Sequence, residues 1–146
     1  MPRYSTSVVI RRTPEDVYLY MDDVTREREW QPNLESAEQQ PAGPTRVGTR
    51  KRYVSHFMGR RVENTYQVVE LEPARRMVQE TLPGSSARVR SEVRWTAVPG
   101  GTEVTLTVDA TPTGLMKLLP SGLLEAATRQ EMADSLARLR RILEAG

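Results

Sequence analysis

The chain contains no cysteine, which rules out a disulfide framework, a thiol nucleophile and a zinc–thiolate site. It contains one histidine, His56, and a lone histidine supplies neither a metal cluster nor a Ser-His-Asp relay. No apolar run comes near the ~20 residues that span a bilayer. Met1-Pro2-Arg3-Tyr4 runs straight into a strand without the charged and apolar regions of a secretory signal, so a cytoplasmic address is the expectation. A phosphate-cradling loop is missing too, because Pro99-Gly100-Gly101 lacks the Gly-Lys-Ser/Thr ending and leads into a strand. Together these absences predict no metal, nucleotide or haem cofactor.

Lysine is nearly absent as well. Of 21 basic residues only Lys51 and Lys117 are lysines, so the other 19 are arginines. They are spread over strands, turns and the last helix among 19 acids, leaving a net charge of +2. A nucleic-acid binder gathers its arginines on one face or helix, so nucleic acid is not the expected partner. No residue pattern sets an oligomeric state.

At 146 residues the chain is long enough to bury a core without staples, and residues 1–146 read as one domain. The signals come in a telling order: a strand, short helices, a long run of hairpins, then an amphipathic helix. Residues 3–11 read as the first strand. Thr13 is a good N-cap, Pro14 suits the first helical position, and Glu15 and Asp16 favour the positive end of the dipole. A second short helix is predicted over 25–30, ending before Pro32 and set off from the first by Asp22-Asp23.

From residue 34 to 110 nearly everything reads as strand and tight turn. Gly59-Arg60 fits a two-residue turn with glycine first. That turn would pair Lys51 with Val68, Tyr53 with Tyr66, Ser55 with Asn64 and Phe57 with Val62, all on one face because side chains alternate along a strand. The other face, with Arg50, Arg52, His56, Glu63, Thr65 and Gln67, is the wet one. Turns are predicted at 72–75 and 83–86, with strands at 77–82, 87–98 and 102–110. In 87–98, Val89, Ser91, Val93 and Trp95 face one way while Arg88, Arg90, Glu92 and Arg94 face the other.

The chain turns helical from Gly114, with a break at Pro120-Ser121-Gly122. Beyond it Leu124, Thr128, Met132, Leu136, Leu139 and Leu143 form one apolar face at helical spacing. One long apolar-faced helix against a curved antiparallel sheet encloses an apolar space, which points to a small-molecule pocket.

Several segments carry a family resemblance: Val47-Gly48-Thr49-Arg50, the turn at Gly59-Arg60, Thr65-Tyr66 followed by Val68-Val69-Glu70-Leu71-Glu72-Pro73, Gly100-Gly101-Thr102-Glu103-Val104, and Gly114-Leu115-Met116. In this order they resemble the START-like polyketide cyclase/dehydrase and lipid-transport superfamily (SRPBCC). The resemblance implies an α+β helix-grip fold. A seven-stranded curved antiparallel sheet wraps a long C-terminal helix, two short helices follow strand 1, and a cavity lies between sheet and helix. Members bind lipids, sterols, quinones, polyketides and hormones, and some cyclise or dehydrate polyketide chains, so shared fold does not settle function.

Within that frame Lys51, Tyr53, Ser55, Asn64, Tyr66, Ser91 and Trp95 fall on the concave face. A packed core rarely accepts so many polar groups, whereas a wet or ligand-filled cavity does. The alternative is that Tyr53 and Tyr66 are core aromatics with backbone partners and Lys51 snorkels to the rim. Lys51 departs from the apolar or aromatic residue that related chains often carry here. Facing inward it would pair with a ligand's carboxylate or steady an enolate; a register slip would put it outside. Trp30, at the expected cavity mouth, is either a ring to stack on or a packing anchor. Met116, Leu119, Leu123, Thr128 and Met132 line the far wall or belong to an ordinary core stripe. The leading expectation is a binder of a small hydrophobic ligand. An aromatase/cyclase or dehydratase using Tyr53, Tyr66 and Lys51 is the first rival, and a protein- or RNA-interacting member the second.

Overall fold

The computed structural model describes residues 3–145, with only the backbone described at residues 115 and 116. Strand β1 (Arg3–Ile10) is followed by helix α1 (Pro14–Asp22), a 3-10 turn (Val24–Arg26) and helix α2 (Glu27–Trp30). Strands β2 (Leu34–Gln40), β3 (Arg50–Phe57), β4 (Arg60–Glu72), β5 (Arg76–Thr81), β6 (Ala87–Val98) and β7 (Gly101–Pro112) come next. A 3-10 turn (Gly114–Leu118) then leads into the long helix α3 (Ser121–Ala145). The sheet runs β1-β7-β6-β5-β4-β3-β2, so consecutive strands pair except β1 and β2, which form opposite edges. The α1–α2 segment therefore has to cross from one edge to the other, and in doing so it closes one end of the concave face. This is the helix-grip arrangement.

Local chemistry explains the entry. Thr13 Oγ1 accepts from the Asp16 amide at 3.2 Å and Pro14 starts α1. Asp23 ends that helix and caps the next turn, its Oδ1 accepting from the Thr25 amide at 3.0 Å. The segment predicted as one helix over 25–30 is divided, with α2 beginning only at Glu27.

The β3–β4 register differs from the expected one. Met58 and Gly59, both with positive φ (52° and 76°), form the hairpin turn. Two positive φ values in succession match the right-handed twist of the flanking strands, and Gly59 takes its share at no steric cost. Lys51 consequently pairs with Tyr66, Tyr53 with Asn64, Ser55 with Val62 and Phe57 with Arg60. The shift is two residues, so every side chain keeps its predicted face. Gly101 is required for another reason: a Cβ there would lie 2.0 Å from the Ile10 carbonyl oxygen on β1.

The core gathers Ile10, Val17, Tyr18, Met21, Trp30, Val93, Trp95, Val104, Leu136 and Leu139. It ties α1 and the second half of α3 to β1, β6 and β7. Arg12 Nε also donates to the Leu143 carbonyl at 2.8 Å, and the Arg11 amide to Glu144 at 3.0 Å, pinning the end of α3 beside β1. The first half of α3, by contrast, spans open space. Among the described residues no helix is long and apolar enough to cross a membrane.

Candidate functional site

That space is a cavity of about 290 Å³ between α1, α2, the first half of α3 and the concave face of the sheet. Its apolar wall comes from Met21, Trp30, Phe57, Met77, Val93 and Met132, among others. Its polar side chains come from α1, β5, β6 and α3 as well as from α2, β3 and β4.

Lys51 lies on the cavity wall and is 1% exposed. Among the described residues its ammonium has no hydrogen bond and no close ion pair. A carboxyl absent from the sequence-based candidates stands nearby. Glu27, 3% exposed on α2, accepts from the Tyr53 hydroxyl at 3.1 Å and from the Gln31 side-chain amide. Burial pushes the Glu27 carboxyl up to about 7, against the opposing pull of the Lys51 charge. Burial likewise raises the Tyr53 hydroxyl well above the ordinary phenol value, with Glu27 adding to it. Tyr53 and Tyr66 pack edge to face at 5.6 Å, and Tyr66 is also raised by burial and then by the charge of Glu131.

Glu131 on α3 is the second acid missing from the sequence-based candidates. It lines the cavity, and burial pushes it up to about 7 with Asp134 adding to the shift. Among the described residues no donor hydrogen-bonds to it. Gln79, on β5, is buried in the same wall with its carbonyl oxygen unpartnered.

The other expected residues divide. Ser55, Asn64 and Ser91 line the cavity, but the Asn64 carbonyl oxygen already accepts from the Ala87 amide at 3.2 Å. Thr128 lines it as well, and its hydroxyl donates to the Leu124 carbonyl one turn back at 2.8 Å. Trp95 and Trp30 sit in both the core and the cavity wall. Trp95 donates to the Met21 sulfur at 3.3 Å and meets Tyr18 edge to face at 5.0 Å, whereas the Trp30 indole N–H has no partner among the described residues. Leu119 is not part of the wall, and Leu123, 57% exposed, points to solvent. The Met116 side chain lies outside the described residues.

Glu27 and Glu131 were traceable. Glu27 is three residues before Trp30, and Glu131 lies three after Thr128, so each shares a helix face with a residue already singled out. Acids default to solvent in such a reading, and that default hid them.

Fold and cavity together define a START-like helix-grip protein with a partly polar interior. The sequence matches the family described as polyketide cyclase/dehydrase and lipid transport over residues 1–144, and the chain belongs to that family. Among solved structures it is similar to TTHA0849 from Thermus thermophilus, with a TM-score of 0.83, 22% identity and coverage of 99% of this chain and 98% of that one. It is also similar to the Zhui aromatase/cyclase from a Streptomyces species, with a TM-score of 0.80, 18% identity and coverage of 98% and 93%. A START superfamily protein from Mycobacterium smegmatis gives a TM-score of 0.80 at 11% identity, with coverage of 98% and 97%. Likeness at these identities establishes the fold. No curated protein matches the chain.

Proposed function

We propose that this chain binds an apolar or amphipathic small molecule, lipid-, polyketide- or quinone-like, between the sheet and α3, with an oxygen of the guest held by Lys51. The observation that carries the reading is the buried Lys51 ammonium on the cavity wall, without an acceptor among the described residues. A buried ammonium without a hydrogen-bond acceptor is costly even with the Glu27 carboxyl nearby, and a guest's carboxylate or carbonyl oxygen would offset that cost. The apolar wall adds roughly 25 cal/mol per Å² of guest surface buried. A cavity near the small end of the usual ligand range, ~300–1,000 Å³, suits a few fused rings or a short acyl chain. Native mass spectrometry of gently purified protein should reveal a co-purifying small molecule. Titration with 2-naphthoic acid should quench or shift the emission of Trp30 and Trp95. A bare protein that also ignores the probe would end this reading.

One contact supports a second, catalytic reading, in which the family's cyclase activity belongs to this chain. Tyr53 and Glu27 are two titratable groups within hydrogen-bond distance in the cavity wall, with the charge of Lys51 acting on Glu27. In that reading the Glu27 carboxylate takes the α-proton of a β-keto chain and Lys51 steadies the enolate oxygen. The enolate carbon attacks a second carbonyl, and the resulting alkoxide recovers a proton. Glu27→Gln should then abolish ring closure of a poly-β-keto thioester while leaving its binding intact; an equal rate would remove the catalytic reading. The protein- or RNA-binding reading has less support, because Arg52, Arg61, Arg76, Arg90 and Arg94 on the outer face are each paired with an acid.

A further inference from the structure

The ionisable side chains of the cavity wall fall into two sets. In one, Lys51, Glu27, Asp22, Tyr53 and Gln31 act on one another, through hydrogen bonds from Tyr53 and Gln31 to Glu27 and through the charges of Lys51 and Asp22 acting on Glu27. In the other, Glu131 on α3 stands near Tyr66, and the charged group acting on it is Asp134, a second acid. Helix geometry gives Glu131 no cation: the residues three and four positions away are Ala127, Thr128, Asp134 and Ser135. Arg129 is engaged elsewhere, with Glu125 at 3.2 Å and over the Tyr4 ring. Most other acids of the sheet and of α3 have a basic or polar partner; Glu131 instead faces the cavity with its acceptor oxygens unused among the described residues.

A half-buried carboxyl is an acceptor in want of a donor, as the buried ammonium is a donor in want of an acceptor. We propose that the cavity is built for a guest polar at two points: an oxygen that takes the Lys51 ammonium, and a hydroxyl or phenol that donates its hydrogen to Glu131. This rests on the binding reading above and narrows it. Plain fatty acids and unsubstituted arene acids satisfy one point only. Hydroxylated aromatic acids or ketones satisfy both, with the ring body against Trp30 and Met132.

The test uses matched probes, 2-naphthoic acid and its hydroxynaphthoic acid isomers, titrated calorimetrically into wild type, Glu131→Met and Lys51→Met. In wild type at about pH 8, above the raised value of Glu131, at least one hydroxy isomer should bind about tenfold tighter than the parent acid, the size of a hydrogen bond to a charged group. Glu131→Met should erase that gain without weakening the parent acid, whose affinity should hold or rise because an acid leaves the wall it binds against, while Lys51→Met should weaken parent and isomer alike. The melting temperature of Glu131→Met should hold or rise, since the substitution removes an unpartnered carboxyl; a clear fall would assign Glu131 a structural role and overturn the proposal. A hydroxyl gain that survives in Glu131→Met, or no gain for any isomer in wild type, overturns it while the binding reading stands. If no probe binds wild type this proposal falls, and if the purified protein is also bare the binding reading falls with it.

Discussion

Lys51 and Arg52 are chain neighbours on β3, yet they meet opposite surroundings. Arg52 points outward and pairs with Glu38 and Glu63, within a ladder that continues through Glu35–Arg61, Glu70–Arg76–Glu92 and Glu80–Arg90–Glu70. Lys51 points inward to a wall where Glu27, Tyr53 and Tyr66 are tuned by burial rather than by ion pairing. Solvent screens the outer pairs, so each contributes little to stability. The inner groups lack that screening, and their interactions are correspondingly strong and costly. A surface carries many charges cheaply, whereas each charge in a cavity wall is costly unless something polar meets it.

The contrast is sharpest at Lys51. Lys51→Met should weaken an arene carboxylate by about a hundredfold, the scale of losing one partner of a buried charge pair. Its melting temperature should hold or rise, because an apolar side chain of similar length fills the site without an ammonium. Calorimetry and a thermal melt read both; a drop of many degrees would make Lys51 part of the scaffold and erase the distinction between the faces.

Tyr66→Trp comes next. The larger ring should crowd the cavity and weaken the same probe about tenfold, with the circular dichroism spectrum unchanged. Equal affinity for the variant would mean that the probe binds elsewhere.

The two faces should also titrate in opposite directions. Glu27 and Glu131 are raised to about 7, so between the ordinary carboxylate range and neutrality the folded chain holds protons that the unfolded chain has released. Their contribution is present at low pH and lost as pH rises through that window. Glu35, Glu70 and Glu92 are lowered, chiefly by hydrogen bonds from Arg61, Arg76 and Arg94. Their contribution is present above the ordinary carboxylate value and lost as pH falls below it. The melting temperature should therefore stand a few degrees higher at about pH 5 than at about pH 7.5. Glu27→Gln and Glu131→Gln should flatten that decline and leave the acid limb alone; an unchanged decline would refute the assignment. Among the groups facing Glu27 (Lys51, Tyr53, Gln31 and Asp22) the ammonium is the one cation, so an anionic probe should also bind more tightly as pH falls through 7.

The smallest effect belongs to the outer face. Arg94→Ala removes an exposed pair with Glu92 and should change stability by less than about 0.5 kcal/mol and probe affinity not at all. A measurable loss of affinity would show that the outer ladder shapes the cavity.

Much of this was legible in residue order. Alternation in β3, β4 and β6 separates Arg52, Arg90 and Arg94 from Tyr53, Ser91 and Trp95, because a strand has only two faces and water claims the charged one. Thr13-Pro14 marks the start of α1, since its cap and first turn are short-range chemistry. Pairing partners were less accessible. Choosing Met58-Gly59 over Gly59-Arg60 for the turn moves the register by two residues, and either choice keeps the faces. What only the tertiary structure decided is which side chains meet across elements far apart in sequence. Glu27 reaches Tyr53 because the α1–α2 segment must cross between the sheet's opposite edges, and Glu131 comes near Tyr66 because α3 is pinned at its far end beside β1. Local pattern specifies the face of a residue. The packing of whole elements specifies its company, and in a cavity the company sets the charge.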